Sequence, residues 1–221
     1  RLKIFPTDSN EIIPNNILDT VGSTRGAQKE LDEILGKTPE GKSKFENPKP
    51  PKLIEFLFNI VNKGKDIKVI DFFAGSGSTG HAILNLNKEI PGNRMFILST
   101  NDEESICSDI CYPRIKKVIE GYKKPRGAKV DGLGGNLKYY KTAFVKNSIS
   151  RDDLKMRITR ECTEMLCLRE GIFDEVKAKP DYHIFEQNGR IMGVYYSMER
   201  DSLAQLKKEL DKMEGEKILY C

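Results

Sequence analysis

Ten consecutive residues, Asp71-Phe72-Phe73-Ala74-Gly75-Ser76-Gly77-Ser78-Thr79-Gly80, combine an acid, three spaced glycines and three hydroxyls. Gly75, Gly77 and Gly80 match G-x-G-x-x-G. In that pattern the glycines permit a tight turn and let backbone N–H groups approach a pyrophosphate at a helix N-terminus. Asp102 or Glu103 stands about twenty residues on, where a dinucleotide site keeps its ribose-binding acid. A nucleoside triphosphate is a poorer fit. The loop lacks the closing Gly-Lys-Ser/Thr, so no lysine is supplied for the phosphates.

A third ligand class, S-adenosylmethionine, accounts for Asp71. A carboxylate set directly against the loop repels a pyrophosphate in a partly desolvated site and attracts the cationic amino group of a methionine moiety. The Phe-x-Gly-x-Gly form of Phe73, Gly75 and Gly77 points the same way. The plain alternative is that the glycines only make a strand-to-helix turn.

The chemistry requires elements to hold this loop. Ile67 to Phe73 is a near-continuous apolar run, the pattern of a strand buried on both faces. Ala82, Ile83 and Leu86 follow as a helix, and Met95-Phe96-Ile97-Leu98 as a second buried strand. Ahead of them, Gly26–Leu35 has a helical pattern, Gly36 to Pro51 is turn-rich, and Pro50-Pro51 opens an amphipathic helix that closes at Gly64. Glu104 to Ile119 is expected to be a helical stretch in which Pro113 makes a kink or a restart. Lys123–Gly135 is expected to be a loop and Leu137–Val145 a third strand. The order of these elements is that of a parallel α/β sheet. From about Ser150 the pattern changes to a helix over Arg151–Arg169, a hairpin around Asn188-Gly189, a helix over Ser202–Met213 and a strand from Lys217. Residues 1–24 suggest irregular chain with short strands. The expected division is a cofactor-binding part over 1–148 and a small α+β region over 149–221.

With 221 residues, 38% apolar and 32% charged, the chain can form a core and is not disordered in type. Its apolar runs are too short to span a bilayer, which predicts a cytoplasmic protein without membrane partners. A net charge of +4 permits nucleic-acid contact without demanding it. The five cysteines lack C-x-x-C spacing, and with only two histidines present no metal site is expected. Lys116, Lys117, Lys123, Lys124, Arg126 and Lys129 form a basic stretch, read first as a solvated loop, with DNA phosphate contact as the alternative. His81 is expected to pack near the loop without a catalytic role.

Phe45-Glu46-Asn47-Pro48-Lys49-Pro50-Pro51-Lys52, followed by the Asp71–Thr79 loop, resembles the beta-class amino-methyltransferases, most of all the C-terminal part of the Mod subunits of type III restriction-modification systems. Asn93 to Leu98, Cys111 to Ile115, Gly132 to Phe144 and Thr163 to Phe173 are similar to that family as well. The resemblance implies a Rossmann-like methyltransferase sheet, of which this chain holds the cofactor-binding half, with a small α+β appendage. It implies methyl transfer from S-adenosylmethionine to adenine N6 in double-stranded DNA, a homodimer, and a nuclease-helicase partner subunit. Asp71, Phe73, Gly75 and Gly77, with Phe72, Ala74, Ser76, Ser78 and Thr79 of the same loop, would hold the cofactor. Lys49, Pro50 and Lys52 belong to the segment that would close over it. The ribose-binding acid falls ambiguously within Thr100-Asn101-Asp102-Glu103, and Asn101 is taken as its amide substitute.

The family's Asp/Asn/Ser-Pro-Pro-Tyr/Phe/Trp motif, which grips a flipped base, does not occur in these 221 residues, because Pro50-Pro51 is flanked by Lys49 and Lys52. No catalytic residue is therefore assigned. The chain, which opens on Arg1, is expected to be a fragment or a split half lacking an N-terminal partner, inactive alone. Without the neighbouring strands it is expected to be marginally stable, oligomeric or dependent on a second polypeptide. Two other readings remain: a non-catalytic remnant that binds cofactor, DNA or a partner, and a nicotinamide dinucleotide-binding domain.

Overall fold

The computed structural model describes residues 20–61, 64–125, 127–148 and 150–221. Most of the expected irregular chain at residues 1–24 lies outside the described residues, as does Arg126 of the basic stretch. The chain divides into two compact units between Tyr140 and Lys141.

In the first unit, α1 (Thr24–Leu35) starts where the Ser23 hydroxyl accepts the Gly26 N–H at 3.1 Å, satisfying an orphan donor of the first turn. It buries Ala27, Leu31, Ile34 and Leu35 and ends at Gly36, whose φ of 75° suits glycine. Pro51 opens α2 (Pro51–Val61), as its missing N–H allows. Strand β1 (Lys68–Asp71) leads through the glycine turn to α3 (Ser78–Glu89), and then to β2 (Met95–Leu98), which pairs in parallel with β1 in the register Lys68↔Met95 to Asp71↔Leu98. This is a parallel β-α-β crossover. Arg94 closes the helix end by donating to the Ile90 carbonyl at 3.0 Å. The core of the unit gathers Leu31, Ile34, Leu35, Leu84, Ile110, Ile115 and Val118.

Several expectations are corrected. β1 is not buried on both faces. It stops at Asp71, Ile70 is 53% exposed, and Phe72 and Phe73 form an exposed turn. Among the described residues β1 has one neighbour, β2, which is itself only half-buried; without flanking strands and a second helical layer, apolar residues have nothing to bury against.

The helical stretch expected over Glu104–Ile119 consists of three pieces. A 3₁₀ turn (Glu103–Ser105) is followed by a π-helical turn (Ile106–Cys111) and α4 (Tyr112–Glu120). The break comes at Glu104 and Ser105, both left-handed (φ 52° and 59°), and Pro113 sits in the first turn of α4, a restart of the helix and not a kink.

The expected loop over 123–135 contains an antiparallel pair, β3 (Gly121–Lys123) and β4 (Lys129–Asp131), closed by a Lys124 N–H to Ala128 carbonyl bond of 2.8 Å. Its lysines hid the alternation carried by Tyr122 and Val130. Leu137–Val145 is not a strand. Leu137 packs on the core and Tyr139 stacks on Tyr112 at 4.9 Å, so the apolar side chains are placed singly and do not alternate along a ladder.

The second unit is α+β, as its patterning implied. Helix α5 (Arg151–Glu170) precedes β5 (Asp174–Lys179), β6 (Tyr182–Gln187), β7 (Arg190–Tyr195), α6 (Arg200–Asp211) and β8 (Glu216–Tyr220). The sheet order is β5-β6-β7-β8, antiparallel except that β7 and β8 run in parallel across α6. Asn188 and Gly189, with φ of 52° and 73°, make the tight β6–β7 turn. Met192 and Val194 pack with Cys167 of α5, while Ile191 and Tyr195 pack with Leu206 and Leu210 of α6. β7 is thus covered on both faces, and β6 likewise sends Phe185 to one cluster and Tyr182 and Ile184 to the other.

Candidate functional site

The glycine loop lies at the C-terminal end of β1, where open parallel sheets hold their ligands. Gly75 and Gly77 have φ of +49° and +78°, conformations that L side chains rarely adopt. Gly80 serves closeness. A Cβ there would stand 2.9 Å from Cδ1 of both Ile115 and Leu98. Ala74, Ser76, Gly77 and Ser78 are buried, whereas Phe73 is 92% exposed.

Asp71 joins the two ends of the turn. Its Oδ1 accepts the Phe73 N–H at 3.0 Å and its Oδ2 accepts the Thr79 hydroxyl at 2.6 Å. A carboxylate has about four acceptor positions, so both oxygens can still take a further donor. Among the described residues no cation pairs with it, and a partly covered anion without a counter-charge favours a cationic ligand group.

The segment ahead of α2 is fastened at two points. Gln28 of α1 donates to the Phe45 carbonyl at 2.7 Å and accepts the Asn47 N–H at 3.1 Å. The Ser78 hydroxyl donates to the Lys49 carbonyl at 2.7 Å. Pro50 is buried, while Lys49 and Lys52 are exposed. The structure therefore brings Lys49 and Pro50 to the loop. Asn101 is placed past the end of β2, exposed, with its amide nitrogen donating to Glu103 at 2.8 Å and its oxygen left as an acceptor. The neighbouring Asp102 accepts the Ser108 N–H at 2.9 Å, which commits one of its oxygens to the π-helical turn.

Beneath the loop lies a residue that reasoning from the sequence did not single out. Arg114 of α4 has a fully buried side chain. Its Nη1 faces the Ser76 carbonyl (3.2 Å), the Ser76 hydroxyl (3.1 Å) and the Ser78 hydroxyl (3.0 Å), and its Nη2 faces His81 Nδ1 at 3.3 Å and Glu30 at 3.9 Å. Its only sequence signal was its place in the Cys111–Ile115 stretch, since charge alone marks an arginine as a surface residue. Burial pulls the His81 pKa down to about 3, with the Arg114 charge adding to the effect. The ring is therefore neutral, with Nδ1 as acceptor because a guanidinium only donates. Burial holds the Glu30 carboxyl above its ordinary value, and Arg114 opposes that rise. Burial, then Cys107, pushes the Cys111 thiol up to about 12, which leaves it inert.

Within the basic stretch Lys117 and Lys124 are tied into the fold, while Lys116, Lys123 and Lys129 are exposed. Lys117 donates to the Ile34 carbonyl at 2.9 Å, Lys124 pairs with Glu33 at 2.8 Å, and Lys129 lies 3.6 Å from Asp131. Among the described residues no cluster of His, Cys, Asp or Glu converges as a metal site, and no helix is long and apolar enough to cross a membrane.

Residues 7–119 match the family model described as DNA methylase, for N6 and N4 methyltransferases. The chain is 40% identical over 88 residues to the Mod subunit of the StyLTI type III restriction-modification enzyme of Salmonella typhimurium, covering 40% of this chain and 13% of that protein. It is 46% identical over 81 residues to the EcoPI Mod subunit of Escherichia phage P1, covering 37% and 12%. To the EcoP15I Mod subunit of Escherichia coli it is 36% identical over 102 residues, covering 46% and 15%. The matched region thus spans between about an eighth and a seventh of the length of these relatives.

Proposed function

Because the chain belongs to the N6/N4 DNA methylase family, we propose that it is the cofactor-binding part of a DNA adenine-N6 methyltransferase of a type III restriction-modification system. The observation that carries this reading is Asp71, an anion at the end of a parallel strand, joined by Thr79 and Phe73 to a left-handed glycine turn. The resulting cradle fits S-adenosylmethionine. Asp71 would hold the amino group, and the loop N–H groups at the start of α3 would receive the carboxylate, as helix N-termini favour anions. Phe72 and Phe73 would be covered by the ligand, and the Lys49–Lys52 segment would border it. Asn101 would accept from a ribose hydroxyl. When bound, the cofactor supplies the methyl group; these residues hold and orient it, and positioning is the larger part of such a displacement.

In this reading β1 and β2 are two strands of a larger Rossmann-like sheet, and the open edge of β1 is where its further strands pair. The motif that grips the target base would lie outside these 221 residues, so the chain by itself would not methylate DNA. Duplex DNA, a second Mod copy and a nuclease-helicase subunit are the partners proposed for the whole protein, on the strength of the Mod relatives.

A nicotinamide dinucleotide is the second reading. It is favoured by Gly80, which packs against Leu98 as the third glycine of a dinucleotide fingerprint packs helix on strand. Calorimetric titration of the intact protein with S-adenosylmethionine and, in parallel, with NAD decides between them. Binding of S-adenosylmethionine alone, lost in Asp71→Ala, is the expected result. Binding of NAD alone overturns the proposal.

A further inference from the structure

Arg114 donates and cannot accept, and the Lys49 carbonyl accepts and cannot donate. Ser78 stands between them with one hydrogen, 3.0 Å from Arg114 Nη1 and 2.7 Å from the Lys49 oxygen. The direction of the chain is therefore determined: Arg114 N–H to Ser78 Oγ, then Ser78 O–H to the Lys49 carbonyl. The same guanidinium holds the Ser76 carbonyl and hydroxyl, so a single buried group governs both the inner side of the loop and the segment beside it.

Arg114 is costly where it stands. Its side chain is fully buried, its Nε has no hydrogen-bond partner among the described residues, and Glu30 is 3.9 Å away with a carboxyl 39% exposed. An apolar residue of similar size at this fully buried position would avoid burying a charge so weakly compensated. Of its contacts, Ser76, Ser78 and the neutral His81 carry no charge to neutralise, and Glu30 stands 3.9 Å away with its carboxyl 39% exposed. What the charge accomplishes locally is to orient two hydroxyls and one carbonyl.

We propose that Arg114 is a positioning residue for the methyl donor, setting the glycine loop and, through Ser78, the Lys49–Pro51 segment in the geometry that receives it. The inference rests on the S-adenosylmethionine reading above. Arg114 touches no ligand. It acts by holding Ser76 from beneath and by aiming the only hydrogen of Ser78 at Lys49, so the two walls of the site keep one spacing.

The test is calorimetric titration of the intact protein with S-adenosylmethionine, reading both the dissociation constant and the stoichiometry, with thermal melting of the same samples. Arg114→Met is expected to weaken binding by about ten-fold or more, as for the loss of hydrogen bonds from a charged donor. Arg114→Lys should recover part of that loss, since it restores the charge without the fork. Ser78→Ala should weaken binding by a few-fold, and the double variant should bind no more weakly than Arg114→Met, because both changes cut one chain.

A merely structural arginine would lower the melting temperature and the stoichiometry while the folded molecules kept their dissociation constant; that result overturns the proposal, as do strictly additive losses. Should Arg114→Met fail to fold, Ser78→Ala decides, and an unchanged dissociation constant there overturns it. If the unsubstituted protein does not bind S-adenosylmethionine, the functional reading falls and this inference with it. If it binds and the variants bind equally well, only the inference falls.

Discussion

The Thr79 hydroxyl donates to Asp71 Oδ2 at 2.6 Å, linking the last residue of β1 to the second residue of α3 across the glycine turn. A short bond to an ionised acceptor is among the stronger side-chain contacts. It holds the carboxylate in one rotamer while leaving lone pairs open toward a ligand. A helix start and a strand end are thereby brought into register by side chains, independently of the backbone turn.

Thr79→Val removes that donor and keeps the shape. Asp71 retains its charge but gains rotational freedom, so the loss should be partial. We expect S-adenosylmethionine affinity to fall by about five- to ten-fold, the size of one hydrogen bond to a charged group, against complete loss in Asp71→Ala. Calorimetry on the two variants side by side checks the ordering. Equal losses would mean that the carboxylate serves only to pin the turn.

Two glycines with crowded surroundings should respond differently to alanine. At Gly80 the new Cβ meets the Cδ1 ends of Ile115 and Leu98 at 2.9 Å, and side-chain ends can rotate away. Helix propensity also improves there by about 1 kcal/mol, so Gly80→Ala should cost no more than roughly 1–2 kcal/mol. At Gly132 the Cβ would lie 2.1 Å from the Ile119 carbonyl oxygen, which is backbone and cannot move without opening the α4–β3 junction. Gly132→Ala should therefore destabilise the protein by about 3 kcal/mol or more. Urea denaturation midpoints of the two variants measure the difference.

His81 sets a pH dependence. Its pKa is about 3 in the folded protein against an ordinary value of 6.5. Below 6.5 the unfolded chain takes up a proton that the buried ring does not, so the unfolded state gains stability as the pH falls. The folded state is favoured fully above pH 6.5, and that advantage is lost progressively between pH 6.5 and about 3. The slope should be on the order of 1 kcal/mol per pH unit within this window. Denaturation midpoints measured from pH 7 to pH 4 should fall for the native protein, and the slope should be shallower in His81→Gln. A slope unchanged by that substitution would place the acid sensitivity elsewhere.

Much of the fold was legible because local patterning settles it. The helical pattern of Gly26–Leu35 falls in α1, which ends at Gly36, Pro51 opens α2, Met95–Leu98 is the second strand at its expected residues, and Asn188-Gly189 turns the hairpin. Each rests on a short-range preference: a cap, a fixed φ, or a run of apolar residues. The glycine turn after an acid was equally plain, since positive φ at Gly75 and Gly77 leaves a compositional mark, and so the loop and its Asp71 were identified from the sequence alone.

The tertiary structure decided what depends on partners distant in the chain. Whether an apolar run is buried on one face or two is set by its neighbours, which is why β1 stays half-exposed beside β2 alone while β7 is covered by α5 on one side and α6 on the other. Leu137–Val145 has an apolar pattern but forms no strand, because Leu137 packs singly on the core of the first unit while Phe144 is exposed. Above all, beyond its place in the Cys111–Ile115 stretch, the sequence marks Arg114 only as a cation. Its place under Ser76, 38 residues away along the chain, follows from packing α4 against α3, because only that packing removes water from the guanidinium and leaves the loop's own oxygens as its partners.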